Sequence, residues 1–436
     1  MFSPAPPSQP LSRKPPLLRA FCSDTSGAVA IIFALVGIAL CMFVGGAVDL
    51  GRWLQARNQS HSALDAAVLA GARVLQLDEK NLAGAQAAAQ LYFDQNTKGR
   101  TKVVDESVSF DVADNNTAFT GTNSSFVQTT FLNFANISRL PVNTYSKALM
   151  RPTGRSNNEV EISMMLDVTG SMSGTKIRDL KVAAADLVNI VISDSIQYNP
   201  VRVAIVPFAE GVRLPASAND KARGANLPSS IKSGSTNYKL SDCVAERTGT
   251  NKYTDVAPGS GNYVMAIYGA CNLTTDDTLI PLTKDKNVLT TAITNLDLGN
   301  TTAGHIGTAW AWYTLSPNWN SLWNASSAAK AYGENIRKFA ILMTDGDYNL
   351  QYTSKGISGT GANDTSANQA KALCDGMKAK GITVYTVGFQ LSSNAKKIMA
   401  YCSTDNSTNY TAENGAELKQ AFRDIALKIN PLYLSQ

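Results

Sequence analysis

An acid and two hydroxyl groups follow an apolar segment of the chain at fixed spacing. Asp167, Thr169 and Ser171 occupy alternate positions directly after the β-rich segment 160–166. Over residues 177–191 apolar side chains recur at helical spacing, so the three polar residues lie in a loop between a predicted strand and a predicted helix. A carboxylate and hydroxyls on one tight turn are oxygen ligands that suit a hard divalent cation such as Mg²⁺.

Two later segments carry the further oxygen ligands that such a loop would need. Asp345 follows a second apolar segment, 339–344, and Thr302 lies in a polar loop just before a predicted helix. Because ligands of an open parallel sheet bind outside the carboxyl ends of its strands, we expect these side chains to meet at one edge. Taken singly, each piece is also what an ordinary helix cap or turn contains. Together they predict a metal site for Mg²⁺, with Mn²⁺ or Ca²⁺ as alternatives, formed by Asp167, Thr169, Ser171, Thr302 and Asp345.

These five residues resemble the metal-ion-dependent adhesion site of von Willebrand factor A domains. That site combines an Asp-x-Ser-x-Ser loop, a distant Thr and an Asp-Gly after a later strand. Here Thr169 replaces the first Ser and keeps its hydroxyl. The resemblance implies a Rossmann-like doubly wound α/β domain that binds and does not turn over a substrate. It also implies that an acidic side chain of a partner protein completes the coordination shell of the metal.

The same loop also resembles the aspartyl-phosphate loop of haloacid-dehalogenase-type phosphotransferases. In such an Mg²⁺-dependent phosphohydrolase Asp167 would be the nucleophile, and the segment 343–347 would supply the acid that binds Mg²⁺. Thr169 stands where phosphatases of that group usually have a second acid, and Val168 stands where the pump members usually have Lys. The hydroxyls of the predicted metal site fit the adhesion site better, so the enzyme is the alternative hypothesis.

Strands and helices alternate through the second half of the chain, as a doubly wound fold requires. We expect the von Willebrand A domain to span residues 158–432. Polar residues rich in Gly and Ser interrupt the alternation at about 210–285, and we interpret them as an insertion near the metal-site face. The insertion either shapes what the site accepts or is a variable surface excursion. The strands are predicted near 160–166, 201–207, 338–344 and 382–388, and the helices near 175–193, 303–315, 364–380 and 414–429.

An uncharged apolar segment near the N-terminus is long enough to cross a membrane. Residues 26–48 carry no charge, and a helix of about 20 apolar residues spans a hydrocarbon core ~30 Å thick. A cleaved signal peptide is the alternative, but its apolar region is about 7–15 residues long. Residues 1–25 are rich in proline and are predicted to form a disordered cytoplasmic tail. Three basic residues before the span and two soon after it favour an N-terminus inside the cell and the bulk of the chain outside.

The predicted span continues into a segment that resembles a pilus-assembly family. Residues 27–35, 46–52 and 62–71 are similar to the N-terminal region of TadE/TadG-like proteins of the tight-adherence (Tad) Flp pilus system, and the likeness extends to about residue 75. Ile32 stands where TadE-like pseudopilins usually have Glu, so we expect the anchor to be retained. TadG-like members pair such an anchor with a von Willebrand A domain, which implies an envelope-exposed binding or assembly protein.

Residues 49–151 are predicted to form a stalk of helices and strands. One helix continues out of the membrane, and residues 80–95 form another that is rich in Ala and Gln. From Lys102 the apolar period changes to two, which is typical of strands. A polar linker at 151–158 then leads into the second domain.

Four of the six cysteines fall in the predicted outer part of the chain. Four cysteines allow three pairings. Cys243 with Cys271 closes a loop within the insertion, and Cys374 with Cys402 brackets the last predicted strand. These disulfides suit an oxidising periplasm, whereas four free thiols would suit a cytosolic protein. Zinc is not indicated, because the chain has no Cys-x-x-Cys and only two histidines.

Two further clusters have both a structural and a functional interpretation. His305 follows Thr302 by three residues and either lines the metal crevice or packs at the start of the helix. The aromatic residues at 310, 312, 313, 319 and 323 could bind carbohydrate, but their spacing favours packing in the core and its rim.

Composition limits the classes of partner. The chain has 436 residues and a net charge of +5 with scattered basic residues, so nucleic acid is not indicated. Together, the apolar span and the two family resemblances imply a non-enzymatic protein of the bacterial inner membrane with a single-pass anchor, a cytoplasmic N-terminus and its bulk in the periplasm or outside. Its expected partners are the membrane and a pilus or envelope protein. A free secreted adhesin would differ only in losing the anchor.

Overall fold

The computed structural model of the chain describes residues 27–150, 159–192, 201–333, 335–430 and 433–434. The predicted tail 1–25, Cys22 and the predicted linker 151–158 lie outside the described residues. Within the described ranges the chain forms a long N-terminal helix, a small α+β region and an α/β domain with an antiparallel insertion.

The first helix, α1 (Gly27–Leu77), is continuous over 51 residues. The prediction that the helix of the apolar segment continues without a break to about residue 75 is therefore confirmed. Its apolar start projects from the rest of the molecule, with Phe33 79% and Phe43 78% exposed. In the part of the chain that the structure describes, α1 is the one helix long and apolar enough to cross a membrane.

The second half of α1 is the backbone of the small α+β region. α2 (Leu82–Asn96) packs along it, and β1 (Val104–Ala113), β2 (Ala118–Gln128) and β3 (Arg139–Leu149) form an antiparallel sheet against it. The apolar core between helix and sheet is small and includes Leu64, Val68 and Phe119. Packing against a helix gives a small sheet of this kind the apolar contacts that it needs to be stable in water, and the predicted helix-plus-sheet stalk is observed.

The C-terminal domain is built on a six-stranded sheet in the described residues. The strands are β4 (Glu159–Asp167), β5 (Val201–Phe208), β10 (Ile280–Thr283), β11 (Ile336–Thr344), β12 (Thr383–Phe389) and β13 (Asn409–Ala412). Their order in the sheet is β10-β5-β4-β11-β12-β13, and every neighbouring pair is parallel except β10 with β5. All eight residues of β4 after Glu159 are buried, as expected for a strand covered on both faces.

Helices cover both faces of this sheet. α3 (Thr175–Val191) packs against α5 (Lys286–Asn295) and α9 (Gly415–Ile429), and α6 (Gly304–Tyr313) packs against α7 (Ser366–Ala379). α8 (Ser393–Cys402) contacts α7 and β12. The predicted doubly wound α/β fold is confirmed by this mixed sheet between two helical layers, and the four predicted strands and four predicted helices are all present.

The predicted insertion at about 210–285 is a structured subdomain with one boundary corrected. β10 lies inside that range but belongs to the main sheet, so the excursion ends before Ile280. The inserted residues form an antiparallel sheet in which β8 pairs with β6, β7 and β9. Its elements are β6 (Val212–Arg213), α4 (Ala216–Arg223), β7 (Ser230–Ser233), β8 (Thr236–Arg247) and β9 (Val264–Tyr268).

Two disulfides close loops in this domain, as the sequence predicted. Cys243–Cys271 links β8 to the residues after β9, within the insertion. Cys374–Cys402 links α7 to the end of α8, beside β12. Among the described residues Cys41 is a free thiol, and it is exposed on the apolar part of α1.

The end of α1 holds the stalk and the C-terminal domain together. The side-chain amide of Gln76 donates to the carbonyl oxygens of Met150 and Asn430, each over 3.0 Å. A short strand, β14 (Tyr433–Leu434), returns to pair antiparallel with β3. These two buried hydrogen bonds tie two distant parts of the chain to Gln76, so α1 is bonded directly to the end of the α/β domain.

Candidate metal centre

The predicted site residues meet at the carboxyl end of the central strands. β4 and β11 are adjacent and parallel, with Leu166 opposite Met343, so Asp167 and Thr344 follow side by side at the same edge. The backbone N–H of Asp345 lies 3.4 Å from Oδ2 of Asp167. The topology thus brings together two acids that are 178 residues apart in the sequence.

A chain of hydroxyl groups connects the two carboxylates. Thr169 donates its hydroxyl hydrogen to Oδ1 of Asp167 over 2.6 Å, and the hydroxyls of Thr169 and Ser171 lie 2.9 Å apart. Ser171 in turn donates to Oδ1 of Asp345 over 2.6 Å. Thr169, the residue that departs from the Asp-x-Ser-x-Ser pattern, therefore uses its hydroxyl to link Asp167 to Ser171.

Thr302 reaches the same place from a separate loop. A Cβ added at Gly346 would lie 3.6 Å from Oγ of Ser171 and 4.0 Å from Oγ1 of Thr302, so both hydroxyls border this glycine. The carbonyl oxygen of Thr302 accepts from the backbone N–H groups of Asn349 and Leu350, each over 3.1 Å. The structure thus brings all five predicted ligands to one edge of the sheet.

Backbone hydrogen bonds hold the Asp167 loop against the Thr302 loop. Gly299 donates to the carbonyl of Val168 over 2.7 Å, and Gly170 donates to the carbonyl of Asn300 over 2.9 Å. At the start of α6 a side chain in place of Gly304 would overlap the ring of Tyr348. Only glycine therefore allows α6 to begin this close to the segment that follows Asp345.

The electrostatics of the site favour a cation. The pKa of Asp167 is raised to about 6, mainly because the carboxyl group is buried and to a smaller extent because the negative charge of Asp345 lies nearby. Asp167 is completely buried, and the contacts found for it among the described residues are to hydroxyls and backbone N–H groups, not to a basic side chain. Asp345 does have one basic partner, because Nζ of Lys176 lies 2.7 Å from its Oδ2. One positive charge thus faces two carboxylates.

The donor set fits a hard divalent ion. Two carboxylates and three hydroxyls are oxygen ligands of the kind that Mg²⁺ prefers, and Mg²⁺ needs few protein charges because it keeps several waters. No group of three or more His, Cys, Asp or Glu that could hold a metal ion gathers in the described residues, and the candidate site has two acids.

Two contributors to the site were missed in the sequence. Thr344 donates its hydroxyl hydrogen to Oδ2 of Asp167 over 2.6 Å and so fixes the second oxygen of this carboxylate. The second contributor is Lys176, which the sequence places within the predicted helix 175–193. Its position at the start of α3, directly after the loop that contains Gly170 and Gly174, is the sequence signal that could have identified it.

His305 does not line the crevice, and the prediction that it packs at the start of the helix is the one that the structure supports. The ring is completely buried, with Nδ1 2.7 Å from Oγ of Ser366 and Nε2 3.3 Å from Oε2 of Glu246. The aromatic cluster is likewise a packing feature. Trp310 packs edge-on against both Tyr313 and Trp319, and Trp319 is fully buried.

A family model matches the N-terminal part of the chain. The family model described as "Putative Flp pilus-assembly TadE/G-like" matches residues 27–74. No curated protein matches this chain.

Solved structures similar to this chain include bacterial pilus proteins. The pilus adhesin SpaC from Lactobacillus rhamnosus GG has 12% identity and a TM-score of 0.38, and the match covers 74% of this chain and 34% of that one. The pilus adhesin RrgA from Streptococcus pneumoniae has 12% identity and a TM-score of 0.40, with 76% and 50% covered. The vWF domain of the type V pili tip protein Mfa5 from Porphyromonas gingivalis has 14% identity and a TM-score of 0.37, with 62% and 95% covered.

This chain thus spans about a third of the length of SpaC and half of that of RrgA. The distances given above, and not these solved structures, support the choice of the candidate metal ligands. Over residues 27–74 the chain has the TadE/G-like sequence of Flp pilus assembly, as the N-terminal resemblance predicted.

Proposed function

We propose that this chain is a membrane-anchored binding or assembly protein of a Tad-type pilus system, exposed in the bacterial cell envelope. The TadE/G-like match over residues 27–74 supports the pilus system. The exposed apolar start of α1 supports the anchor. A single observation supports binding through a metal: two carboxylates, those of Asp167 and Asp345, are joined by hydroxyl groups at a sheet edge.

The residues of the site have separate roles in this proposal. The hydroxyls of Thr169 and Thr344 position the carboxylate of Asp167, which is buried and supplies negative charge to the site. Ser171, Thr302 and Asp345 border Gly346 and present oxygen atoms there. Bound Mg²⁺, or Mn²⁺ or Ca²⁺ in its place, is a hard Lewis acid on which a carboxylate of a partner protein can bind. The partner is therefore a pilus or envelope protein that presents an acidic side chain.

The phosphohydrolase alternative is less well supported by the same atoms. A nucleophilic aspartate needs a free oxygen for attack on phosphorus. Asp167 is 0% exposed, and both of its carboxylate oxygens accept hydrogen bonds. Turnover of a phosphate monoester by the purified chain, abolished by Asp167→Asn, would reverse this ranking.

The location follows from charge and cysteine chemistry. Basic residues before the apolar segment favour a cytoplasmic N-terminus and a single pass through the inner membrane, with the α/β domain in the periplasm or outside. Two disulfides in that domain suit an oxidising compartment.

A photo-crosslinking experiment in pilus-forming cells tests the proposal. The crosslinking amino acid replaces Ser173, which is exposed directly after the Gly170–Met172 turn. We expect a product with a pilus or envelope protein that forms in Mg²⁺ and is lost with chelator or in Asp345→Asn. The matched control is Asp347→Asn. Asp347 is exposed two residues after Asp345, and its carboxylate accepts a hydrogen bond from the hydroxyl of Ser392. An identical product in all samples would contradict metal-dependent binding.

A further inference from the structure

A loop of the stalk exposes apolar side chains beside the apolar part of α1. It connects β2 to β3 and contains a short turn of helix, Leu132–Ala135. Phe131 is 41% exposed, Phe134 is 81% exposed and Ile137 is 44% exposed. Three large apolar side chains in one surface loop of a small domain mark a contact surface rather than scattered exposure.

The loop packs on α1 inside the uncharged segment, not beyond it. A Cβ added at Gly45 would lie 2.3 Å from the ring of Phe131, and one at Gly46 would lie 3.4 Å from the side chain of Leu132. The absence of a side chain at Gly45 thus allows the aromatic ring to touch the helix. Gly45 precedes Asp49 by four residues, which is about 6 Å along a helix. The loop therefore lies at the depth of the last turn of the apolar segment.

Seven backbone N–H groups in and beside the loop have partners within the protein. Irregular backbone is tolerated near hydrocarbon only when its polar groups are satisfied within the protein. The carboxylate of Asp49, 1% exposed, accepts from the backbone N–H groups of Thr130, Phe131 and Leu132 over 2.7–3.1 Å. The backbone N–H groups of Thr129, Phe134, Asn136 and Ile137 donate to carbonyl oxygens of the same connection between β2 and β3.

The flanks of the loop have the side chains found at membrane–water interfaces. Trp53, one turn after Asp49, donates its indole N–H to the carbonyl of Pro141 over 2.7 Å. The side chain of Arg139 is 54% exposed at the start of β3. Amphipathic rings and long basic side chains are enriched at the level of the lipid headgroups.

We propose that the loop 131–137 inserts Phe131, Phe134 and Ile137 into the outer interfacial layer of the membrane that α1 crosses. The stalk then contacts the membrane at a second point in addition to α1. This inference rests on the membrane anchor of the proposed function. The occupant of the apolar surface is lipid, because the surface is continuous with the exposed apolar face of α1.

Depth-dependent quenching in a lipid bilayer tests the inference. The full chain with Cys22→Ser and Cys41→Ala is reconstituted in vesicles whose lipids carry spin labels at shallow or deep positions. An environment-sensitive fluorophore is attached to Phe134→Cys, to Phe43→Cys on the apolar part of α1, or to Tyr145→Cys. Tyr145 is 53% exposed on β3 and serves as a matched aromatic control away from the loop.

We expect severalfold stronger quenching at position 134 than at position 145, with shallow labels more effective than deep ones at 134. Quenching at 43 with none at 134 would overturn the loop inference and leave the anchor intact. A probe at 134 that is shielded from water but not quenched by lipid would mean that a protein covers the loop, and would also overturn it. Loss of quenching at 43 would overturn the anchor and the loop inference together.

Discussion

Ser171 donates its hydroxyl hydrogen to Oδ1 of Asp345 over 2.6 Å, although the two residues are 174 positions apart. The bond joins the loop after β4 to the loop after β11 at one edge of the sheet. Because Thr169 continues the same chain of hydrogen bonds to Asp167, two carboxylates and two hydroxyls form one connected group. The proposed metal centre depends on this connection.

Mg²⁺ is expected to stabilise the protein through Asp345. A ligand at 100 times its dissociation constant stabilises the folded state by about 2.7 kcal/mol. We expect a higher melting temperature in Mg²⁺ than in chelator for the wild-type chain, and no difference for Asp345→Asn. Asp347→Asn is the control and should keep the wild-type response, since this carboxylate is exposed and bonds Ser392. Equal melting curves for the wild-type chain in Mg²⁺ and in chelator would contradict the prediction.

The metal-free protein is expected to lose stability as the pH rises from about 4 to 6. Burial, with a smaller effect of Asp345, raises the pKa of Asp167 from 3.8 to about 6, so the folded state holds this proton more tightly than the unfolded state. The difference corresponds to about 3 kcal/mol, present at low pH and lost as the pH passes through the folded-state pKa. Denaturant unfolding in chelator should detect this slope. Asp167→Asn should remove the slope, and an unchanged slope in that variant would assign it to other groups.

Lys176 is expected to compete with the cation. Its ammonium group lies 2.7 Å from Oδ2 of Asp345 and partly offsets the negative charge of the site. Lys176→Met should therefore bind Mn²⁺ more tightly, by roughly tenfold if about 1.4 kcal/mol of competition is removed. Arg178→Met is the matched control, because Arg178 is exposed two residues along α3 and its ion pair is with the neighbouring Asp179. Weaker binding in Lys176→Met would mean that the ammonium supports the site.

The disulfide Cys374–Cys402 is expected to stabilise the α/β domain. It closes a loop with a sequence separation of 28, for which the chain-entropy model gives about 3–4 kcal/mol. The double variant Cys374→Ser, Cys402→Ser should lower the free energy of unfolding by that order. Cys41→Ser, which removes the exposed thiol on α1, should leave it unchanged. An equal loss in both would indicate an effect unrelated to the crosslink.

Asp49 is expected to hold the start of the loop 131–137 in place. Its buried carboxylate accepts from three backbone N–H groups, and leaving such groups unsatisfied costs about 1–3 kcal/mol. Asp49→Ala should increase hydrogen exchange of these amides, as measured by mass spectrometry of the reconstituted chain. Asp94→Ala, an exposed acid on α2, should not. Unchanged protection in Asp49→Ala would show that packing on Gly45 alone fixes the loop.

The strands that carry the site could be predicted because each ends in a run of apolar residues. The second half of β4 and of β11 is buried and apolar, and an acid, Asp167 or Asp345, stands at or directly after the end of the strand. Two of the elements that were not predicted have sequences that argue against their conformation. β10 contains Pro281, which is tolerated because it is an antiparallel edge strand. α5 is rich in Thr, Ile and Val, which lowers helix propensity, and its Asp285 cap was the readable signal.

The ligand set could be predicted from the sequence, but its hydrogen bonds could not. Local order places a hydroxyl two and four residues after Asp167, whereas the partner of each hydroxyl depends on how two strands and a distant loop meet. The bond of Thr344 to Asp167 and the ion pair of Lys176 with Asp345 are tertiary contacts of this kind. The same limit applies to the stalk loop, because the approach of Phe131 to Gly45 has no local pattern.

The most direct test of the metal centre is anomalous diffraction from crystals of the chain soaked in Mn²⁺. We predict one strong anomalous peak per chain, bordered by the side chains of Ser171, Thr302 and Asp345 and absent in Asp345→Asn. No peak at that edge of the sheet in the wild-type crystals, at saturating Mn²⁺, would contradict the account.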